Sequence, residues 1–232
     1  MKIGIIIPTT SKDHEHETIY QSLLSKTIIS FCNSSDKEHE YIFYIGVDNK
    51  DILYDNLNNQ NELKKLISFY SKTNSIKFIY MTGINKGHLT IMWNRLANTA
   101  YNEGCDFFYQ CGDDILYKTR GWVNDSIKVL SNNKYIGVTG PFNNNATILT
   151  QTFVSRRHID IFGYYFPEEI TNWYCDDWIN EVYKKCGFLF LLGRHVAINV
   201  GGKPRYNPKS DRKLCDALVI RDVNKLNKYL SL

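Results

Sequence analysis

Hydrophobic residues in the first half of the chain form short continuous runs that are separated by segments with helical spacing. Continuous apolar runs are typical of parallel strands, which are covered on both faces. These runs cover Lys2 to Pro8, Tyr41 to Val47, Ile76 to Met81 and Phe107 to Cys111. Helices are predicted between them, at about Glu15 to Phe31, Asn61 to Ser71 and Leu89 to Ala100. This alternation predicts an α/β fold with a doubly wound, mostly parallel sheet and helices on both faces.

The pattern loosens after Asp114, where strands and helices no longer alternate strictly. Helices are predicted at Trp122 to Leu130, Arg157 to Phe162, Asp176 to Cys186 and Asp211 to Tyr229. Strands are predicted at Tyr135 to Thr139, Ile148 to Val154, Phe188 to Leu192 and Val196 to Val200. We therefore expect one compact domain with a nucleotide half (about 1–115), an acceptor half (about 116–202) and a C-terminal segment (about 203–232).

Positive charge is concentrated at the end of the chain. The 232 residues carry a net charge of +4, and residues 201–232 alone contribute +5. A local excess predicts one basic element near an anion and argues against a general nucleic-acid surface. No run approaches the roughly 18 apolar residues of a membrane span. The N-terminal run is too short for a signal peptide, so a cytoplasmic protein is expected.

Two adjacent carboxylates, Asp113 and Asp114, follow the aromatic run that ends at Cys111. Carboxylates about 5 Å apart repel each other by roughly 3 kcal/mol at an effective dielectric constant of about 20. Such a pair takes up a proton or recruits a cation. Hard oxygen ligands suit Mg²⁺ or Mn²⁺, and open α/β sheets bind ligands at their carboxyl edge. The pair therefore predicts a metal site.

Several short motifs occur in an order that resembles the GT-A-fold glycosyltransferases. The similarity is greatest to the large inverting family that builds polysaccharides and glycolipids, and it spans about residues 2–202. The motifs are Pro8-Thr9, Asp48, Asn85-x-Gly87, Gly112-Asp113-Asp114, Asp176-Asp177 with Gly187 beyond it, and Val200-Gly201-Gly202. This chain has Gly112 where the family motif Asp-x-Asp has its first Asp.

The resemblance implies a site for a nucleoside-diphosphate sugar. Pro8, Thr9 and Thr10 would line the base and ribose, and Asp48 would accept a hydrogen bond from the base. The residues expected near phosphate are Asn85, Lys86, Gly87 and His88, together with the basic Lys203 and Arg205. A strand-ending turn at Asp48 and a helix N-cap with a solvated lysine at 85–88 are the structural alternatives.

The resemblance also assigns the metal site and the catalytic base. Asp114 would bind Mn²⁺ or Mg²⁺, with Asp113 at the ribose or beside the metal. Asn199 and His195 are candidates for a further ligand at the place where many relatives have a histidine. Asp176 or Asp177 would be the general base, and Trp173 and Trp178 would stack on the acceptor sugar. Alternatively, the second acidic pair complements the dipole of a helix N-terminus.

The sequence thus predicts a metal-dependent transferase that moves a sugar from a nucleoside-diphosphate donor, expected to be a UDP-sugar, to an acceptor hydroxyl with inversion. The acceptor would be a glycan, a glycolipid or a protein-linked sugar. One alternative is a sugar nucleotidyltransferase of the same fold, although residues 8–12 lack the glycine-rich signature after strand one. The other alternative is a non-catalytic module that binds sugars or nucleotides.

Overall fold

A computed structural model describes residues 1–14, 18–145, 147–202 and 204–231. Its first half is a parallel sheet made of β1 (Lys2–Thr9), β2 (Glu40–Val47), β3 (Ser75–Tyr80) and β4 (Phe107–Gln110). β1 lies in the centre, because it pairs in parallel with both β2 and β4, while β3 extends the sheet beyond β2. Helices α1 (Leu23–Ser34), α2 (Leu57–Tyr70) and α3 (Leu89–Asn102) connect these strands.

The second half continues the same sheet with mixed directions. Its strands are β5 (Ile115–Tyr117), β6 (Val138–Phe142), β7 (Thr152–Ser155) and β8 (Leu189–Asn199). The order across the eight-stranded sheet is β3-β2-β1-β4-β7-β6-β8-β5. β7 is antiparallel to β4 and β6, and β5 is antiparallel to β8, whereas β6 and β8 are parallel. The helices are α4 (Trp122–Ser131), α5 (Arg157–Phe162), α6 (Cys175–Lys185) and α7 (Arg212–Leu230).

Alternating side chains of the central strands divide the core between the two faces of the sheet. Ile3, Ile5 and Ile7 of β1 pack on the face that is covered by α1, α2 and α4. Ile6 packs on the opposite face, together with residues of α3, α5, α6 and α7. Helices therefore cover both faces, and the predicted fold class is confirmed.

Several predicted boundaries were wrong, most of them in the second half of the chain. The predicted strand Tyr135 to Thr139 is in part a turn, because Lys134, Tyr135 and Gly137 have positive φ angles of 56°, 61° and 141°. The two strands predicted between Phe188 and Val200 are the single strand β8, and the short β5 was not predicted. The first helix begins at Leu23, and part of its predicted N-terminal region lies outside the described residues.

The parallel strands β1, β2 and β4 all end at the same edge of the sheet. Thr9 ends β1, Asp48 directly follows β2, and the Asp113-Asp114 pair lies three residues beyond the end of β4. The carboxyl edge therefore gathers polar groups that are far apart in sequence, as expected for an open α/β sheet.

Candidate active site

A cavity of about 640 Å³ lies at the carboxyl edge of the sheet. It brings together most of the residues that the sequence singled out. These are Pro8, Thr9, Thr10, Asp48, Asp113, Asp114, Trp173, Asp176, Asp177, Asn199 and Arg205. The cavity thus joins the two acidic pairs, which are about sixty residues apart in the sequence, in one compartment.

Asp113 is fully buried and already has a cation beside it. The Arg205 guanidinium donates to both of its carboxylate oxygens, with 2.8 Å from Nη1 to Oδ2. The Thr9 hydroxyl donates to the same Oδ2 at 2.6 Å. A bidentate contact with arginine neutralises a carboxylate and fixes its orientation. Asp113 is therefore an ion-pair partner of the basic C-terminal segment.

Asp114 has a different environment, because its carboxylate meets an amide. Asn199 Nδ2 donates to Asp114 Oδ1 at 3.2 Å. Burial, and then repulsion from Asp113, raise the pKa of Asp114 to about 6. Gly201 allows this packing, since a Cβ atom there would lie 1.8 Å from Asp114 Oδ2. A nearby positive charge would therefore stabilise the ionised form of the Asp114 side chain.

The residues predicted to hold a divalent cation fit such an ion only in part. Asp114 supplies a hard carboxylate oxygen, and Mg²⁺ sites in proteins combine one or two carboxylates with substrate phosphates and water. Within the described ranges, no group of three or more His, Cys, Asp or Glu side chains is arranged to hold a metal. The protein side chains would therefore form a partial site, and a phosphate ligand would have to complete the coordination.

A segment that we call the C-terminal strap, residues 204–209, crosses the end of the cavity that is formed by the loops after β1, β2 and β4. Arg205 Nη1 donates to the Thr10 carbonyl at 2.9 Å, and the Tyr206 hydroxyl donates to Asp48 Oδ2. Lys12 Nζ donates to the Arg205 carbonyl and lies 4.9 Å from the centre of the Tyr206 ring. The strap thus contacts the loops after β1, β2 and β4.

Asn172 fastens the far end of the strap to the body of the protein. This buried side chain accepts a hydrogen bond from the Lys209 amide at 2.8 Å. Its Nδ2 donates to the Asn207 carbonyl at 3.3 Å and to the Gly87 carbonyl at 3.1 Å. The strap is therefore held at both ends by residues that line the cavity.

The second acidic pair lies in the first turn of α6, opposite the strand ends. Burial, and then repulsion from Asp177, raise the pKa of Asp176 to about 7. Asp177 instead faces Arg212 of α7, with 3.5 Å between Oδ1 and Nη1. The two carboxylates therefore differ: the pKa of Asp176 is raised by burial, whereas Asp177 faces an arginine.

Trp178 and His195, which were predicted to contact the acceptor and the metal, do not line this cavity. Trp178 is fully buried, and its indole N–H donates to Asp222 at 3.1 Å, so it has no surface for stacking on an acceptor. His195 points to Asp125, with 2.5 Å between Nε2 and Oδ2, and is therefore not placed to bind a metal at Asp114. The assignments of Trp178 to the acceptor and of His195 to the metal are corrected accordingly. Trp173, in contrast, lines the cavity with half of its surface exposed.

The residues predicted to face phosphate at the start of α3 line a separate, smaller cavity of about 290 Å³. Asn85, Lys86, Gly87 and His88 lie there beside Lys12 and Lys209. Asn172 and Tyr206 border both cavities, so the two adjoin each other. Lys203, the other basic residue predicted to contact phosphate, lies outside the described residues.

Sequence reasoning missed several side chains that line the main cavity. Tyr206, Gln110 and Gln151 were not singled out, and Trp93 was considered only as part of the predicted helix from Leu89 to Ala100. Tyr206 reaches Asp48 across 158 residues of sequence, so no local pattern indicates the contact. For Gln110, the signal was present, because a polar residue interrupts an otherwise aromatic strand just before the acidic pair.

Comparison with known proteins supports the fold but not a particular family. No protein-family model matches the chain, and no curated protein sequence matches it. The structure is similar to that of S. aureus TarS, with a TM-score of 0.59 at 12% identity over 97% of this chain. The match covers 43% of that TarS chain, so this chain spans less than half of its length.

Two further structures of TarS 1–349 also match. The complex with UDP-GlcNAc gives a TM-score of 0.60 at 12% identity, covering 96% of this chain and 66% of that one. The complex with UDP gives 0.55 at 13% identity, covering 96% and 65%. These similarities agree with the predicted GT-A fold. Among the described residues, no helix has the length and apolar character needed to span a bilayer.

Proposed function

We propose that the protein transfers a sugar from a UDP-sugar to an acceptor hydroxyl with inversion at the sugar carbon. The observation that carries this proposal is the single cavity that joins Asp48 and the Asp113-Asp114 pair at the strand ends to Asp176 on α6. A donor nucleotide and a general base need to lie on opposite sides of one sugar, and the cavity has room for that arrangement.

The nucleoside would occupy the end formed by Pro8, Thr9, Thr10 and Asp48. Asp48 is almost fully buried, and its carboxylate offers hydrogen-bond acceptors at the end of β2. The TarS complexes with UDP and UDP-GlcNAc support this choice of nucleotide. In this proposal the nucleotide base displaces the Tyr206 hydroxyl, which now donates a hydrogen bond to Asp48, or shares the Asp48 carboxylate with it.

Asp114 would hold the divalent cation, with Asn199 beside it. A bound Mn²⁺ or Mg²⁺ neutralises charge that develops on the departing diphosphate. Arg205 would donate hydrogen bonds to the diphosphate at the same end of the cavity, where its guanidinium is paired with Asp113. Asp113 and the Thr10 carbonyl both accept hydrogen bonds from that guanidinium, so its orientation is preorganised.

Asp176 would take the proton from the acceptor hydroxyl. Its pKa of about 7 lies near the pH at which a general base works best, whereas an ordinary carboxylate is a weaker base. Attack on the face opposite the diphosphate inverts the sugar carbon. The half-exposed Trp173 would provide an apolar surface for an acceptor sugar.

The proposal is tested by measuring UDP release from UDP-GlcNAc and UDP-glucose with Mn²⁺, and again after chelation. Asp114→Asn should abolish the metal-dependent release while UDP still binds. Asp106→Asn is the matched control, because Asp106 accepts from the Lys2 amide at the opposite end of β4. Full activity of Asp114→Asn would contradict the metal assignment, and failure of the wild-type protein to bind UDP would contradict the proposed donor.

A further inference from the structure

The smaller cavity before α3, which we call the lysine pocket, collects positive charge beside the main cavity. Lys12, Lys86 and Lys209 line it together, although they come from three distant parts of the chain. None of the described residues that line this pocket is an aspartate or a glutamate. Ammonium groups that are brought together without an acid repel one another, so an anion bound among them would relieve that repulsion.

Two of these lysines have exposed side chains that form no ion pair within the described part of the chain, namely Lys86 and Lys209. The arginines of the same C-terminal region are different. Arg205 is paired with Asp113, and Arg212 with three acidic residues of α6 and α7. The charges of the two lysines are therefore available to a ligand, whereas those of the arginines are already balanced.

The strap holds two sides of the lysine pocket in place. On one side, Lys12 Nζ donates to the Arg205 carbonyl and lies 4.9 Å from the centre of the Tyr206 ring. On the other side, the buried Asn172 side chain accepts a hydrogen bond from the Lys209 amide at 2.8 Å. Because these positions are fixed in the free protein, little further ordering is needed when an anion binds.

The size and the charge of the lysine pocket suit a phosphate group. Its volume of about 290 Å³ lies just below the range of roughly 300–1,000 Å³ that is typical of pockets for drug-sized ligands. A small group therefore fits better than a whole sugar nucleotide. A phosphate monoester carries roughly two negative charges at pH 7, so it balances most of the charge of three lysines, whereas a carboxylate balances only one of them.

The lysine pocket is separate from the place proposed for the diphosphate of the donor. That place is beside Asp114, which lines the main cavity and not the lysine pocket, while Asn172 and Tyr206 border both. We infer that the lysine pocket binds a phosphate group that is not part of the donor. Two sources carry this chemistry: an acceptor with a phosphate group, and free inorganic phosphate. The inference goes beyond the proposed function, which assigns no ligand to this pocket.

The test is isothermal titration with inorganic phosphate of protein that is saturated with UDP and Mg²⁺. The wild-type protein should bind phosphate while the donor site is filled. Lys86→Gln and Lys209→Gln should each weaken phosphate binding roughly tenfold, because each removes a hydrogen bond between charged groups. Lys213→Gln is the matched control and should keep the wild-type affinity, because Lys213 belongs to the same basic segment but lines neither cavity.

Three results would overturn the inference: no phosphate binding by the wild-type protein, unchanged phosphate affinity in both lysine variants, or competition between UDP and phosphate. Competition would assign the pocket to the diphosphate of the donor. If the wild-type protein does not bind UDP, the proposed function fails, but titration without UDP still tests the lysine pocket through the same variants. The titration of the wild-type protein stands even if a variant does not fold.

Initial rates of UDP release from UDP-glucose separate the two sources of phosphate. If the phosphate belongs to the acceptor, glucose 6-phosphate should have a lower KM than glucose, and inorganic phosphate should compete with it. If free phosphate is the ligand, the two sugars should have the same KM, and inorganic phosphate should change the rate without competing with either. In both cases Lys209→Gln should remove the effect that is observed in the wild-type protein.

Discussion

At the scale of single residues, the raised pKa of Asp176 implies a cost in stability. Its folded-state pKa of about 7 lies above the ordinary value of 3.8, so folding disfavours its ionised form. The sign follows directly: the protein is most stable with respect to this group below about pH 4. Stability is then lost as the pH rises, until the pH exceeds about 7.

Asp176→Asn should therefore stabilise the protein at neutral and alkaline pH while abolishing sugar transfer. The gain in melting temperature over the wild-type protein should grow between pH 5 and pH 8, and should reach at least about 2 °C at pH 8. Thermal unfolding followed by circular dichroism at both pH values checks this. A variant that is destabilised equally at both pH values would show that Asp176 has a favourable partner.

The pH dependence of transfer gives a second prediction at this scale. A base with a pKa of about 7 predicts that kcat/KM rises with pH and levels off above that value. Repulsion from Asp177 contributes to the raised pKa, so Asp177→Asn should move the profile to lower pH. The measurement is a series of initial rates between pH 5 and 9. If the profile does not move in Asp177→Asn, the base is not electrostatically coupled to its neighbour.

At the scale of elements, the C-terminal strap occupies groups that a nucleotide would need. Tyr206 bonds to Asp48, and Arg205 bonds to Thr10 and Asp113. Tyr206→Phe removes the hydroxyl that competes for Asp48 and keeps the ring. We expect UDP affinity to increase roughly three- to tenfold, in line with the loss of one competing hydrogen bond of about 1 kcal/mol.

Isothermal titration with UDP measures this change, and Tyr229→Phe is a suitable control, because its hydroxyl meets Arg157 on the surface. Weaker UDP binding by Tyr206→Phe would show instead that the Tyr206 hydroxyl supports the nucleotide.

The elements also show what local sequence patterns can predict. Strands β1 to β4 and their carboxyl-edge acids were predicted because each is encoded within about ten neighbouring residues. Helix α5 was predicted with its observed bounds, Arg157–Phe162. The contacts of Tyr206, the burial of Trp178 and the pairing of His195 with Asp125 depend instead on residues that are 158, 44 and 70 positions away. Such contacts follow from the packing of the whole sheet, which local periodicity does not encode.

At the scale of the whole molecule, the Arg205–Asp113 ion pair joins the last segment of the chain to the centre of the sheet. Asp113 is fully buried, so removing its cation leaves a charge with little solvation. Arg205→Met should lower the free energy of unfolding by roughly 3 kcal/mol.

Adding Asp113→Asn to Arg205→Met should restore most of that loss, because the unpaired charge is then removed. Urea unfolding of the wild-type protein, the two single variants and the double variant forms a complete cycle. Additive losses in the double variant would mean that the two side chains act independently.

The contacts of the strap also have a consequence for synthesis on the ribosome. Arg205 follows its partner Asp113 by 92 positions, which corresponds to several seconds of translation at about 5–20 residues per second. During that interval the emerging first half has its acidic strand ends without their guanidinium. The Asp113 carboxylate is therefore paired only late in synthesis. A chain that is halted before residue 205 would have this carboxylate without its arginine partner.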